Sequence, residues 1–249
     1  MERLALSREG FEAAASRSTA VARAVMVRVA SGELPATFRL HRPGRILAFS
    51  KQDAASAGFG DAVKAASAAG FEPVIRLAGG RAAVYHEETL ALSWAVPDRR
   101  ASARTEARFR ELARLLQGAL CDLGADARIG EVPGEYCPGA WSVNARGATK
   151  LAGTGQRLIA GAAHRGAVIV VGGSDLVRRA LLPTYEALGL DWDPATAGSV
   201  SDEVGAMTTD AVAEAILARL AERYDLRETR LDAQTLALAE RLESDHAVP

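Results

Sequence analysis

The chain has 249 residues, 49% hydrophobic and 24% charged, which suits one large globular domain or one domain with a short appendix. A formal net charge of −1 excludes the basic surface that a sequence-independent grip on nucleic acid needs, and two cysteines are too few for a disulfide scaffold. No apolar run approaches the ~20 residues of a membrane helix, and the start MERLALSREGFEAAASRS lacks the continuous apolar core of a secretory signal, so a soluble cytoplasmic protein is expected.

In chain order, STAVARAVMVRVASGE (18–33) has a Ser/Thr N-cap and meets Gly32, which predicts a helix despite its β-branched valines. TFRLHRPGRILAFSKQD reads as two short strands about the turn RPGR. FGDAVKAASAAG (59–70) has apolar residues at helical spacing and a closing glycine. EPVIRLAGGRAAVYHEETLALSWAVP then gives a short strand, a glycine-containing turn and a longer strand ending at Pro97. In SARTEARFRELARLLQGALCDLG, Phe109, Leu112, Leu116 and Leu120 form one apolar stripe, the strongest helical pattern in the chain. A hairpin about Arg146–Gly147 and the buried strand RGAVIVVGG follow. SDLVRRALLPTYEALGL is helical, with Pro183 expected to break or kink it. TTDAVAEAILARLAERYDL and LDAQTLALAERLES predict two further amphipathic helices. Helices alternating with hairpins imply an α+β fold, a mixed β-sheet flanked by helices.

Four constellations carry chemistry. RLAGGRAAVYHE (76–87) sets two glycines between strand-forming segments, where bare backbone approaches a ligand and successive N–H groups form an anion-binding concavity. Arg76 and Arg81 bracket that turn and offer charge-assisted donors to a phosphate or carboxylate. A plain hairpin turn with surface arginines has the same spacing. Neither G-x-G-x-x-G nor G-K-[ST] occurs there. Tyr85 and His86 follow; the histidine is a proton shuttle or a strand-edge residue satisfied by hydrogen bonds, and His164 and His41 carry the same two readings. In TKLAGTGQR, Lys150 precedes Ala152, Gly153, Thr154 and Gly155, so little bulk obstructs an ammonium that can neutralise an oxyanion or phosphate. A solvated strand lysine is the plain alternative. Lys150 is one of only three lysines beside 27 arginines, a mild sign that a compact amine is needed there.

Cys137 sits in a turn between Tyr136 and Pro138–Gly139, where exposure and a nearby positive charge make a reactive thiol. Cys121, beside Leu120 on the amphipathic helix, reads as core packing. A two-residue turn at Arg146–Gly147 pairs Val143 with Lys150 and puts 137, 139, 141 and 143 on the lysine's face. A flat hairpin leaves Cys137 roughly 20 Å from Val143, so the Pro-Gly turn has to curl the cysteine back.

Taken together, these segments resemble the lipoate–protein ligase and octanoyltransferase family, whose catalytic domain is related to biotin–protein ligases. Arg76, Gly79, Gly80 and His86 match its glycine turn, and Lys150, Gly153, Thr154 and Gln156 match its lysine motif. AHRGAVIVVGGSDLVRRAL is similar to the strand and helix that follow, with His164 in the expected place. The resemblance runs from about residue 18 to 190, and Cys-Pro-Gly ahead of the lysine is similar to the cysteine-dependent octanoyl/lipoyl transferase branch. It implies a biotin/lipoate ligase-like domain over 1–190 with 191–249 as a helical extension packed on it. It further implies that Cys137 carries an octanoyl or lipoyl group as a thioester and passes it to the lysine of a lipoyl domain, while Lys150 polarises the acyl carbonyl. Arg76, Gly79, Gly80, Arg81, Tyr85 and His86 bind substrate by the same resemblance, as do Gly153, Thr154, Gln156 and His164. Ala78 departs from the pattern, standing where the first of three glycines is common.

The partners so implied are the H protein of glycine cleavage and E2 subunits of 2-oxoacid dehydrogenases, with acyl carrier protein as a further donor. No metal and no cofactor beyond the acyl group is required, and a monomer is expected. An octanoyl chain has no charge to grip, so an apolar slot is expected; six methylenes at ~0.8 kcal/mol each supply roughly 5 kcal/mol. The alternative is an ATP- and magnesium-dependent lipoate–protein ligase that forms lipoyl-adenylate, with Cys137 incidental. The cysteine turn and the C-terminal part, too short for a full accessory domain, favour the transferase. A third reading is a non-catalytic binding protein that kept the fold.

Overall fold

The computed structural model describes residues 1–11 and 14–248. Its elements are β1 (Glu2–Ser7), α1 (Ala15–Ala30), β2 (Thr37–His41), β3 (Ile46–Phe49), α2 (Lys51–Ala54), α3 (Phe59–Ala68), β4 (Glu72–Ile75), β5 (Ala83–Tyr85) and β6 (Thr89–Pro97). There follow α4 (Thr105–Asp122), β7 (Ala127–Ile129), β8 (Val143–Ala145), β9 (Thr149–Ile159), β10 (Ala162–Val170), α5 (Ser174–Leu188), α6 (Val200–Val204), α7 (Thr209–Ala221), β11 (Tyr224–Glu228) and α8 (Ala233–Leu242).

Eight strands form one mixed sheet in the order β11-β1-β2-β6-β10-β9-β8-β7, and β4-β3-β5 form a second, smaller one. β1 runs parallel to β2 and β11, whereas the remaining pairs of the large sheet are antiparallel. One face packs on α4 and α7 through Leu112, Leu116, Leu120, Val212 and Ile216. The other is covered by α1, whose Val21, Val25 and Val29 meet Ala95 and Ala162, with α8 outside it. α3 and α5 bury the small sheet through Phe49, Ala62, Val177 and Leu181. This is the α+β arrangement expected from the sequence.

Several local expectations change. TFRLH and ILAF are strands, but they lie in different sheets and do not pair with each other. α1 begins before Ser18, so that serine is not its cap; its hydroxyl meets His41 instead. Pro183 does not end α5, because Val177, Ala180, Leu181, Thr184 and Tyr185 are buried along it and tertiary packing outweighs one lost backbone bond. Tyr224–Asp225–Leu226, read as the end of a helix, opens β11, so residues 191–249 are not purely helical. Phe109 leaves the expected stripe of α4 and stacks on Trp141, 6.4 Å between ring centres.

Candidate functional site

A cavity of about 490 Å³ lies between the α1 face of the large sheet, the turn after β4 and the segment joining β7 to β8. Its floor comes from residues paired across β9, β10, β6 and β2. One row is Gly153, Val168, Ala91 and His41; the next is Gly155, Gly166, Ser93 and Arg39. Paired residues on neighbouring strands share a face, so glycine and alanine in these rows leave room above the sheet.

Lys150 reaches the same face through an irregularity. Val143 pairs with Ala152 and Asn144 with Lys150, so one extra residue of β9, Leu151, bulges between them. The bulge turns both Leu151 and Ala152 to the core and resets the alternation. The expected Val143–Lys150 pairing is thereby corrected: Asn144 lies opposite the lysine, and the turn includes Arg146 and Gly147 at positive φ.

The 135–142 segment does curl back. The Lys150 ammonium is 1% exposed and donates to the Tyr136 carbonyl at 2.9 Å, the Cys137 carbonyl at 2.8 Å and Glu135 Oε1 at 3.1 Å. Glu135 is the hub of that segment. It also accepts from the Val132 and Gly139 N–H groups and the Ser142 hydroxyl, which compensates the burial of its charge.

Cys137 adopts φ +43°, an uncommon conformation for a side-chain-bearing residue. Its N–H donates to Tyr185 Oη at 2.9 Å, and that hydroxyl donates to the Ala82 carbonyl at 3.0 Å. Cys137 Sγ lies 3.1 Å from the Arg81 nitrogen and 3.5 Å from Arg76 Nη2, both donors. Gly80, at φ +102°, permits this approach: a Cβ there would lie 2.3 Å from Arg76 Nη2 and 2.8 Å from Sγ. Burial pushes the thiol pKa up, but the charges of Arg76 and Lys150 and the Arg81 N–H outweigh it, so the thiol lies below its ordinary value. The site therefore sets a thiol of lowered pKa beside bare backbone and a fixed ammonium, the parts needed for nucleophilic acyl chemistry.

Other residues chosen from the sequence are placed unevenly. Arg76, Gly79, Gly80, Tyr85, Gly153, Thr154, Gln156 and His164 line the cavity with Cys137 and Lys150. Arg81 contributes its N–H, while its guanidinium turns to buried Asp53 at 3.3 Å. Thr154 donates to the Trp141 carbonyl, and Gln156 is tied to Arg108 and the Thr105 carbonyl. His86 is not among the lining residues; it is fully buried, accepts from the Glu88 N–H and lies against the Gly173 bend. The methyl of Ala78 faces Gly155, where a Cβ would come within 2.9 Å of it. Cys121, taken for core packing, is exposed at the end of α4.

Sequence reasoning missed Glu135, Tyr185 and Arg39. The cavity is not apolar throughout: Ser18, Arg39, His41, Ser93 and His164 line its α1 end. Among the described residues no group of three or more His, Cys, Asp or Glu could hold a metal ion.

The model of the family described as lipoyl protein ligase A/B catalytic domain matches residues 15–221. An octanoyl-[GcvH]:protein N-octanoyltransferase of Geobacillus kaustophilus is 26% identical over 175 residues, 70% of this chain and 62% of that protein. Its Exiguobacterium sibiricum counterpart is 30% identical over 139 residues, 56% of this chain and 50% of that one. The chain thus spans less than two thirds of the length of these curated relatives. Among solved structures, a lipoate-protein ligase A bound with ATP superposes with a TM-score of 0.79 at 20% identity, covering 98% of this chain and 95% of the other. A bipartite lipoate protein ligase from Thermoplasma acidophilum, described with its E2 lipoyl domain, gives 0.76 at 18% identity, covering 98% and 93%. At these identities the likeness is one of fold.

Proposed function

Because the chain belongs to the lipoyl protein ligase A/B catalytic-domain family, we propose that it moves an octanoyl or lipoyl group onto the lysine of a lipoyl domain through a Cys137 thioester. One observation carries this reading: a thiol on the wall of a cavity, with the Arg81 N–H at 3.1 Å, Arg76 at 3.5 Å and a lowered pKa. The similarity to octanoyl-[GcvH]:protein N-octanoyltransferases supports the same transfer, with the H protein as a partner; E2 lipoyl domains are further acceptors on this reading.

In the first half-reaction the thiolate attacks the acyl carbonyl of the donor. A C–S bond forms, the bond to the donor's lysine nitrogen or carrier sulfur breaks, and the leaving group takes a proton. In the second, the acceptor lysine amine attacks the thioester, forms the amide, gives up a proton and returns the thiolate. No group changes oxidation state, and no nucleotide is consumed. The Arg81 N–H donates to the sulfur and so stands beside any oxyanion formed on the acyl carbon bound there. Lys150 spends its contacts on Glu135, Tyr136 and Cys137 in the free enzyme, so it polarises an acyl oxygen by exchanging one of the two carbonyls for it while Glu135 keeps its hold.

The test is intact mass spectrometry after mixing the protein with an octanoylated carrier and no ATP. An octanoyl adduct, labile to hydroxylamine and absent from Cys137→Ala, is the expected result. Lipoylation of an acceptor domain only with ATP and magnesium, and no adduct from any carrier, overturns the reading in favour of a ligase.

A further inference from the structure

The α1 end of the cavity is chemically unlike a hydrocarbon slot. The Arg39 side chain is 2% exposed; Glu9 acts on it through space and the Phe11 ring centre lies 5.5 Å from its guanidinium carbon, but no carboxylate oxygen accepts a hydrogen bond from it among the described residues. Its Nε donates to the Glu9 carbonyl at 2.7 Å, Nη1 to the Ser18 carbonyl at 3.2 Å and Nη2 to Ser18 Oγ at 3.3 Å. A guanidinium has five N–H donors, so two remain. His41 and His164 also line the cavity, and the Nδ1 of each is buried without a partner among the described residues. Ser18 Oγ accepts from Arg39 and lies 3.1 Å from His41 Nε2, the one acceptor it meets for its own proton among the described residues. That assignment leaves His41 Nδ1 protonated, a donor with nothing to donate to. Ser93 Oγ, 2.8 Å from His164 Nε2, joins the second histidine to the cluster. Buried donors left unmade are expensive, and native interiors satisfy nearly all of them.

The register places this cluster at about an acyl chain's distance from Lys150. A Cβ at Gly153 would lie 3.4 Å from Lys150 Cε, and His41 ends the row that starts at Gly153. Three strand spacings separate them, roughly 14 Å, a span that an extended eight-carbon acyl group covers only when a polar far end adds its own hydrogen-bond reach. The middle of that path is apolar, over Ala91 and Val168.

We propose that this end of the cavity is a polar subsite selecting acyl groups whose far end carries a hydrogen-bond acceptor, a carboxylate being the strongest case. Arg39 is its central specificity determinant, with His41 and His164 completing the grip. The inference deepens the thioester reading and rests on it for the direction in which the chain lies. A plain octanoyl chain covers these donors with methyl and methylene groups and satisfies none; a terminal carboxylate accepts from them and sets a negative charge in direct contact with Arg39.

Two measurements test it separately from transfer. In Cys137→Ala, titration calorimetry compares octanamide with suberamic acid, the same eight-carbon amide bearing a terminal carboxylate. At least ten-fold tighter binding of suberamic acid is expected, retained in Arg39→Lys and lost in Arg39→Met and His164→Leu variants that keep the parent's circular dichroism. In the protein with its cysteine, the rate of acyl-enzyme formation from suberyl-pantetheine against octanoyl-pantetheine should follow the same order. Equal or weaker binding of suberamic acid, or a ratio unmoved by Arg39→Met, overturns the subsite. Failure of both thioesters to load Cys137 sinks the thioester reading instead and leaves the binding comparison to decide the subsite.

Discussion

A methyl group at residue 80 has no room, and this ties the glycine turn to the thiol. Gly80→Ala forces a side chain onto φ +102° and into Arg76 and Sγ, a conformational cost of about 1–3 kcal/mol. The expected outcome is a lower melting temperature together with at least a ten-fold loss of iodoacetamide reactivity at Cys137. Arg76 gives a sharper test of the electrostatics. Its charge lowers the thiol pKa, so Arg76→Gln moves the midpoint of the alkylation-rate profile to higher pH, while its high-pH plateau stays near wild type. A midpoint that does not move refutes the assignment. Cys137, Lys150 and the glycine turn were legible because turn-formers and small residues cluster around them in sequence. Glu135, Tyr185 and Arg39 were not: one carboxylate in a loop, one tyrosine on a helix and one strand arginine acquire meaning only from partners that are 15, 48 and 21 residues away. His86 matched a motif, yet a motif does not say which way a side chain faces, and the fold turns this one from the cavity.

At the scale of elements, periodicity found α1, α3, α4 and β10, whose apolar residues repeat on one face, and missed what depends on pairing between distant segments. β11 is a short edge strand joined to β1 across more than 200 residues, and the bulge at Leu151 has no signature in β9 itself. The start of α4 shows how elements are fixed to one another. Arg108 Nη1 meets Asp98 Oδ2 at 2.5 Å, Nε donates to Gln156 Oε1 at 2.9 Å, and both charged side chains are at least nine-tenths buried. The pair joins the end of β6 to α4 and, through Gln156, to the cavity floor. Removing one partner strands a buried charge, so Asp98→Ala should lose about 3–5 kcal/mol in urea unfolding. Asp98→Ala combined with Arg108→Met should recover most of that, because neither charge then remains to be desolvated. If the single variant loses under ~1 kcal/mol, the pair behaves as a solvated one.

For the molecule as a whole, the two ends of the chain share one structure: β1 is hydrogen-bonded to β11, α1 packs on α8, and the Leu231 N–H donates to Glu9. Unfolding is therefore expected as one cooperative transition, which makes its pH dependence interpretable. All four histidines are buried and their pKa values are lowered. Burial dominates in each case, bringing His86 and His164 to about 4 and placing His41 well below the ordinary value. A histidine with a lowered folded pKa is neutral in the fold while the unfolded chain takes up its proton near pH 6.5, so its stabilising contribution is intact above that pH. As pH falls from 6.5 towards 4, the unfolded state binds more protons and stability declines. At pH 5.5 the decline is about 1.4 kcal/mol for each fully shielded histidine. Glu87, held at about 2 by Arg45, and other carboxylates of lowered pKa begin to act only near the unfolded carboxylate value, below this window. Unfolding free energies from urea titrations at pH 7.5 and 5.5 should thus differ by several kcal/mol, and His86→Gln should narrow the difference by about one histidine's share. Equal midpoints at the two pH values contradict a fold that holds its histidines neutral.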